Sequence, residues 1–300
     1  MDTVKIRLRS SLRSGLSLVE LCVVFTIAAV VTGLLVPAVQ HAREASRRVR
    51  CATSAREVGI GVQLFHNAHR TIPSNGGPAD DNMIESTKGI LFRPSTLDFT
   101  TLHRYTWGVG SPKRRPEDQT GSWLFSILPH VGQDAVYSSR AYDLEVALYR
   151  CPSRNREGPV PSLDDRFGLY DSGGLSFAKA DLAGNSYLIP NRPSVETFHA
   201  ISDGLSQTLL FGEKSFDPTV HLPGSWYWDE PFWLGGSKST ARAGDRLLED
   251  RQGIEFKENW GSAHGGGAHF GFADGHASFI SMEVDRQLFR AMLTPGQGCL

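Results

Sequence analysis

The chain has 300 residues, with 31 basic against 32 acidic side chains and a formal charge of −1. That length buries a real core in one or two domains, and the balanced charge excludes a surface built wholly for nucleic acid or anionic lipid. Hydrophobic residues at 40% and charged residues at 21% exclude wholesale disorder, while 31 glycines and 16 prolines point to many turns rather than a helical bundle.

The first 70 residues differ in kind from the rest. Lys5, Arg7, Arg9 and Arg13 stand against Asp2 alone, and Leu21 to Val39 then run without a charge. A helix of that length, rising about 1.5 Å per residue, matches a hydrocarbon core of ~30 Å. The basic side predicts a cytoplasmic N-terminus and an exported bulk, with Arg43, Arg47, Arg48 and Arg50 on the far side pulling against that orientation. A cleavable secretory signal needs small residues after the apolar run, and Val36 to Ala42 offers no such site. A lipoprotein signal through Cys22 puts Glu20 and Leu21 where small residues belong. A plain signal anchor leaves Glu20 unexplained, because an unpaired carboxylate at the edge of a spanning helix is costly.

Gly15-Leu16-Ser17-Leu18-Val19-Glu20, behind its basic leader, closely resembles the type IV prepilin processing site. The resemblance implies cleavage after Gly15 by a prepilin peptidase and N-methylation of Leu16. It also implies that the new amine pairs with Glu20 of a neighbouring subunit, and that the helix kinks or melts locally at Pro37. Beyond the membrane, Ala42, Ala45, Val49 and Ala52 recur at helical spacing, and Val58, Val62 and Phe65 resume the stripe. Thr71-Ile72-Pro73 ends it. A long stalk with its outer half packed on a head is the pilin architecture; a simple membrane tether is the alternative.

Residues 73–120 read as loop with short strands. Trp123, Ile127, Leu128 and Val131 fall at helical spacing around the defect of Pro129, and Tyr149-Arg150-Cys151 reads as a strand end. Thr208 to Phe211 reads as a buried strand. Asp274-Gly275 between two alternating segments predicts a type I′ hairpin in which 272 faces 277 and 270 faces 279. Phe270, Phe272, Ala277 and Phe279 then share one apolar face. A helix from Val284 to Leu293 follows, with Val284, Leu288 and Met292 inward.

His264, nine further residues and Asp274-Gly275 match the prepilin-type processing-associated H-x9-D-G motif. Arg47 to Cys51, Ser122-Trp123 to Leu128-Pro129, Cys151-Pro152-Ser153, Asn185-Ser186-Tyr187, Ile201 to Gly204 and Gly212-Glu213 are similar to landmarks of the domain-of-unknown-function-1559 family that carries it. The resemblance covers most of residues 15–295 and implies a pilin-like or pseudopilin-like membrane protein.

The predicted hairpin register sets His269 and His276 roughly 13 Å apart at ~3.3 Å per residue, too far to share one ion. The reading there is a turn made by Asp274 and Gly275, with His264 capping a loop; no metal or other cofactor is expected. The carboxylates of Asp203, Glu213 and Asp274 leave a calcium option, without the dense acidic loop that usually signals one. His66 and His69 are expected at the head-proximal end of the stalk. Trp226, Trp228 and Trp233 form either an exposed surface for a glycan or exported protein, or buried core, the commoner meaning. Cys22 reads as apolar filler in the membrane and Cys299 lies near the C-terminus. Cys51 and Cys151 share an oxidising compartment if the topology holds, which permits a stalk-to-head disulfide. No H-E-x-x-H, G-x-S-x-G, Walker or G-x-G-x-x-G pattern is present, and no enzyme activity is expected.

The sequence thus predicts an α+β, pilin-like protein: leader 1–15, transmembrane and stalk helix 16–70, and an exported α+β head 71–300. It is expected in the inner (cytoplasmic) membrane, N-terminus inside and head outside, as a structural subunit of a type IV pilus or type II secretion-like assembly. The expected partners are prepilin peptidase, other pilin-like subunits and the membrane, not nucleic acid. A membrane-tethered binding module using Trp226–Trp233 is the alternative.

Overall fold

A computed structural model of the protein describes residues 17–296; the expected cleavage site at Gly15 and Leu16, and Cys299, lie outside them. The architecture is the α+β, pilin-like arrangement expected, a long apolar N-terminal helix and a β-rich head. By its contacts the chain divides into two compact units at Ser46/Arg47.

Helix α1 spans Leu18–His69, 52 residues, and runs through Pro37 without the local melt that the resemblance implied. Its start is a capping box: the Ser17 N–H donates to Glu20 Oε2 at 2.8 Å while the Glu20 N–H donates to Ser17 Oγ at 3.2 Å. Two hydroxyls in the apolar stretch are satisfied within the helix, Thr26 Oγ1 on the Cys22 carbonyl at 2.8 Å and Thr32 Oγ1 on the Ala28 carbonyl at 2.7 Å. A side chain satisfied this way can face hydrocarbon without a stranded donor. The helix stops where Arg70 takes a left-handed φ of 62° and its N–H returns to the His66 carbonyl.

Within the head, the buried positions of α1 are Cys51, Ala55, Val58, Gly59, Gly61, Val62 and Phe65. The stripe expected from Ala42, Ala45, Val49 and Ala52 is not the packed one, and Val49 is exposed. Alanine periodicity marks a face only weakly; the packed face carries Ala55, Val58, Val62 and Phe65 into the core, and at its start Arg47 and Arg48 donate to Ser153 Oγ at 3.1 Å and the Gly265 carbonyl at 2.7 Å.

The central sheet has five strands: β1 (Leu182–Asn185), β2 (Leu209–Glu213), β3 (Ala241–Arg242), β4 (Gly267–Phe272) and β5 (Ala277–Ser281), in the order β3-β1-β2-β4-β5. β3 joins β1 in parallel; the other pairs are antiparallel. Helix α2 (Arg286–Leu293), N-capped by the Asp285 carboxylate, covers one face. Its Phe289 and Leu293 join Ala183, Leu209, Ala268, Phe270 and Ile280 in one apolar cluster. Leu288, expected inward, is exposed, because the face is defined by Phe289 packing edge-on to Phe270 at 5.4 Å between centroids. A second, larger cluster gathers Val58, Val62 and Phe65 of α1 with Trp123, Phe125, Phe211, Trp226 and Trp233. Residues 122–138 form three short pieces, Trp123–Ser126, Leu128–Val131 and Asp134–Ser138, not one helix, and Ala147–Tyr149 is a 3-10 turn where a strand end was expected.

The β4–β5 hairpin exists, with a different register. His269 faces Phe279, Phe270 faces Ser278 and Gly271 faces Ala277. The Gly275 N–H returns to the Phe272 carbonyl and the Phe272 N–H to the His276 carbonyl, both at 2.9 Å, so the loop has three residues, Ala273-Asp274-Gly275. Only Gly275, at φ 92°, is left-handed, which gives a type I turn with a bulge in place of type I′. The slip of one residue turns Phe279 away from Phe270 and Phe272, onto the side of His269.

Candidate functional site

Four side chains from distant parts of the chain converge inside the head. Cys51 comes from α1, Cys151 follows the turn Ala147–Tyr149, Glu213 ends β2, and His264 precedes β4. One donor atom from each lies within 4.8 Å of all the others, and all four residues are buried. The Cys51 and Cys151 sulfurs are 3.6 Å apart as two thiols, and Cys151 Sγ is 3.5 Å from His264 Nε2. Glu213 Oε1 lies 3.8 Å from His264 Nε2 and, though buried, has no hydrogen-bond partner.

The surroundings hold these groups in place. Glu213 Oε2 accepts the backbone N–H of His269 at 2.8 Å and faces its ring Nδ1 at 3.3 Å, which aims Oε1 inward. The Ser262 hydroxyl accepts the His264 N–H at 3.0 Å, and Asp181 Oδ2 accepts the Cys151 N–H at 2.7 Å. Arg47 and Arg48 grip the loops just after Cys151 and His264. The Cys51 S–H donates toward Cys151 and, with His264 and the Arg154 guanidinium, holds the Cys151 thiol below its ordinary value; giving that hydrogen bond pushes Cys51 up.

Behind the cluster runs a buried ionic lattice. Asp181 pairs with Arg154 at 3.2 Å and Arg156 at 2.6 Å; Arg154 also pairs with Asp250 at 2.7 Å. Asp229 is shared by Arg156, by Lys179 at 3.1 Å and by Lys214 at 2.8 Å. Burial lowers Lys214 to about 8 despite Asp229 beside it.

The H-x9-D-G residues therefore do separate jobs. His264 belongs to the buried cluster. Asp274 is exposed and accepts the His276 N–H at 3.0 Å, with the His276 ring at 2.6 Å, which fixes the turn. Gly275 brings the hairpin tip onto α1 at Gly59, where Gln63 Nε2 donates to the Ala273 carbonyl. His269 and His276 stay apart, as expected, but on other partners. The calcium option finds no common site: Asp203 accepts the Gly296 N–H, Glu213 turns to the cysteines, and Asp274 serves its own turn. His66 stacks near Phe198 at 4.4 Å and His69 near Phe65 at 4.6 Å.

Of the three tryptophans read as either exposed surface or buried core, Trp226 and Trp233 take the core alternative, so the possible binding surface is corrected at those two positions. Trp226 and Trp233 are each 1% exposed and belong to the core, because the segment turns instead of forming a strand. Trp228, at φ 55°, is half-buried and lines a cleft of about 580 Å³ with Asp98, Tyr105, Trp107, Tyr227 and Lys257.

The sequence pairs Cys51 with Cys151 as a possible disulfide and takes Glu213 and His264 separately; the structure brings the two cysteines together, as thiols, and adds Glu213 and His264 to them. The available signal was that each sits in a short stretch singled out by the family resemblance, although more than 50 positions separate any two of them along the chain.

The family model described as "Protein of unknown function (DUF1559)" matches residues 40–287, and the chain belongs to that family. No curated protein and no solved structure matches the chain. Its N-terminal helix is long and apolar enough to cross a membrane.

Proposed function

We propose that the protein is a pilin-like or pseudopilin-like structural subunit, held in the inner membrane and polymerised through α1 after prepilin-peptidase cleavage behind Gly15. The observation that carries this reading is the first part of α1. Leu18, Val19, Val23, Phe25, Ile27, Val30 and Leu34 are all exposed, with one carboxylate, Glu20, at the start of the apolar stretch. Such a surface needs lipid or other helices to cover it, and packing of apolar helices is what assembles a pilin fibre. In this reading the amine of a neighbour's Leu16 neutralises Glu20, and no residue has a catalytic role. Intact mass and N-terminal sequencing of the membrane-extracted chain test it. A chain beginning at methylated Leu16 is expected; one that retains residues 1–15 sinks the reading.

The Trp228 cleft favours a second reading, a membrane-tethered module that stacks a glycan on Tyr105 and Trp228. Trp228→Ala would then abolish retention on polysaccharide while leaving processing and assembly intact.

A further inference from the structure

We infer that Cys51, Cys151, His264 and Glu213 form a tetrahedral site for a zinc-class divalent cation, one that clips helix α1 to the head.

Geometry carries the inference. A tetrahedral zinc with sulfur bonds of ~2.3 Å and nitrogen bonds of ~2.0–2.1 Å holds two sulfurs ~3.8 Å apart and sulfur and nitrogen ~3.6 Å apart. The corresponding separations here are 3.6 Å between Cys51 and Cys151 and 3.5 Å between Cys151 and His264. The fourth direction is supplied by Glu213 Oε1, a buried carboxylate oxygen with no hydrogen-bond partner, aimed inward because His269 holds Oε2. A stranded carboxylate oxygen at 2% residue exposure is costly, and a cation is the ligand that satisfies it.

The chemical class follows from the donors. Two thiolates and an imidazole select a soft or borderline ion over calcium or magnesium, which take oxygen ligands. All four protein positions are filled and buried, the pattern of a structural site; a catalytic one keeps a position open. Binding displaces the thiol protons of Cys51 and Cys151 to solvent and leaves two thiolates and one carboxylate on a divalent ion. The resulting single negative charge faces Arg154, which is fixed by Asp181 and Asp250.

The competing state is a Cys51–Cys151 disulfide, which needs the sulfurs ~2.05 Å apart and leaves His264 and Glu213 without a shared ligand. The experiment uses the full chain, extracted in detergent without reductant or chelator. Elemental analysis is expected to give about one zinc-class ion per chain, with both cysteines recovered as free thiols after denaturation in chelator. Exchange with cobalt(II) is expected to give tetrahedral d–d bands and thiolate-to-cobalt charge transfer. His264→Ala, with its circular dichroism unchanged, is expected to lose the bands. Recovery of the disulfide peptide, or a reduced chain that takes up neither zinc nor cobalt, overturns the inference. So do cobalt bands that persist in a folded His264→Ala chain. If that variant does not fold, metal content and thiol state of the unaltered chain decide the matter.

Discussion

A methyl group placed on Gly59 of α1 would lie 2.8 Å from the carbonyl oxygen of Gly275, so helix and hairpin tip touch backbone to backbone. The contact joins one half of the H-x9-D-G motif to α1 two helical turns beyond Cys51, where the other half sits. Gly59→Ala gains ~1 kcal/mol of helix propensity but must push a main-chain carbonyl aside, at a cost of ~1–3 kcal/mol. A net loss of about 1 kcal/mol is expected, read from chemical denaturation of the detergent-solubilised chain. Ile60→Ala, at an exposed neighbouring position, should move the midpoint far less.

Glu20 serves in the capping box already, and that role is separable from charge. Gln at the same position keeps the cap, since either side chain can reach the Ser17 N–H. If assembly needs the carboxylate as partner for a neighbour's amine, Glu20→Gln inserts normally but drops out of sheared or pelleted fibres. Incorporation of Glu20→Gln at the unaltered level would reduce Glu20 to a helix cap.

Asp229 is fully buried between Arg156, Lys179 and Lys214. Asp229→Asn keeps the shape and strands the cations without their shared counter-charge. Breaking a buried pair from one side costs ~3–5 kcal/mol, and a loss in that range is expected in the same denaturation assay.

His221 is buried between Phe216 and Phe256, with its Nδ1 2.9 Å from the Asp217 backbone N–H. Burial, with Arg156 and Lys214 nearby, lowers it to about 3, against the opposing pull of Asp229. Between pH 6.5 and 3 the unfolded chain therefore takes up a proton that the native chain refuses, so stability falls as pH falls, by up to about 5 kcal/mol. Glu230, raised to about 7 by burial, acts in the opposite sense between its ordinary value and neutrality. His221→Phe should flatten the acid limb of stability against pH and leave Glu230's contribution in place. An unchanged acid limb would assign acid sensitivity to Asp181, which burial opposes but Arg156 and Arg154 hold at about 2.

Long apolar runs and local turn pairs were readable in the sequence, whereas short stripes such as Ala42 to Ala52 and the spacing over 122–138 were not. The apolar run into α1 and the Asp-Gly turn each depend on neighbours a few positions away. The hairpin register did not follow: Ala273 lies in the loop with its N–H on the Thr208 carbonyl and its own carbonyl accepting from Gln63, partners far away in the chain. Trp226 and Trp233 look no different in sequence from Trp228; only the closing of the head over the first two separates them. The four-residue cluster was least legible, because a site of this kind is defined by convergence in space, and Cys51 arrives on a helix that reads as a mere stalk.

The final 23 residues of α1, Arg47 to His69, lie against the head over about 34 Å at ~1.5 Å per residue. Arg47, Arg48, Cys51, Gly59 and Gln63 make their attachments at successive heights along the helix, spread over roughly 160° of its circumference at 3.6 residues per turn. Tension applied along that axis loads these attachments together, in shear, instead of peeling them one after another. A head held this way resists a pull along the helix axis better than a sideways one, a mechanical anisotropy built into the way the helix is seated.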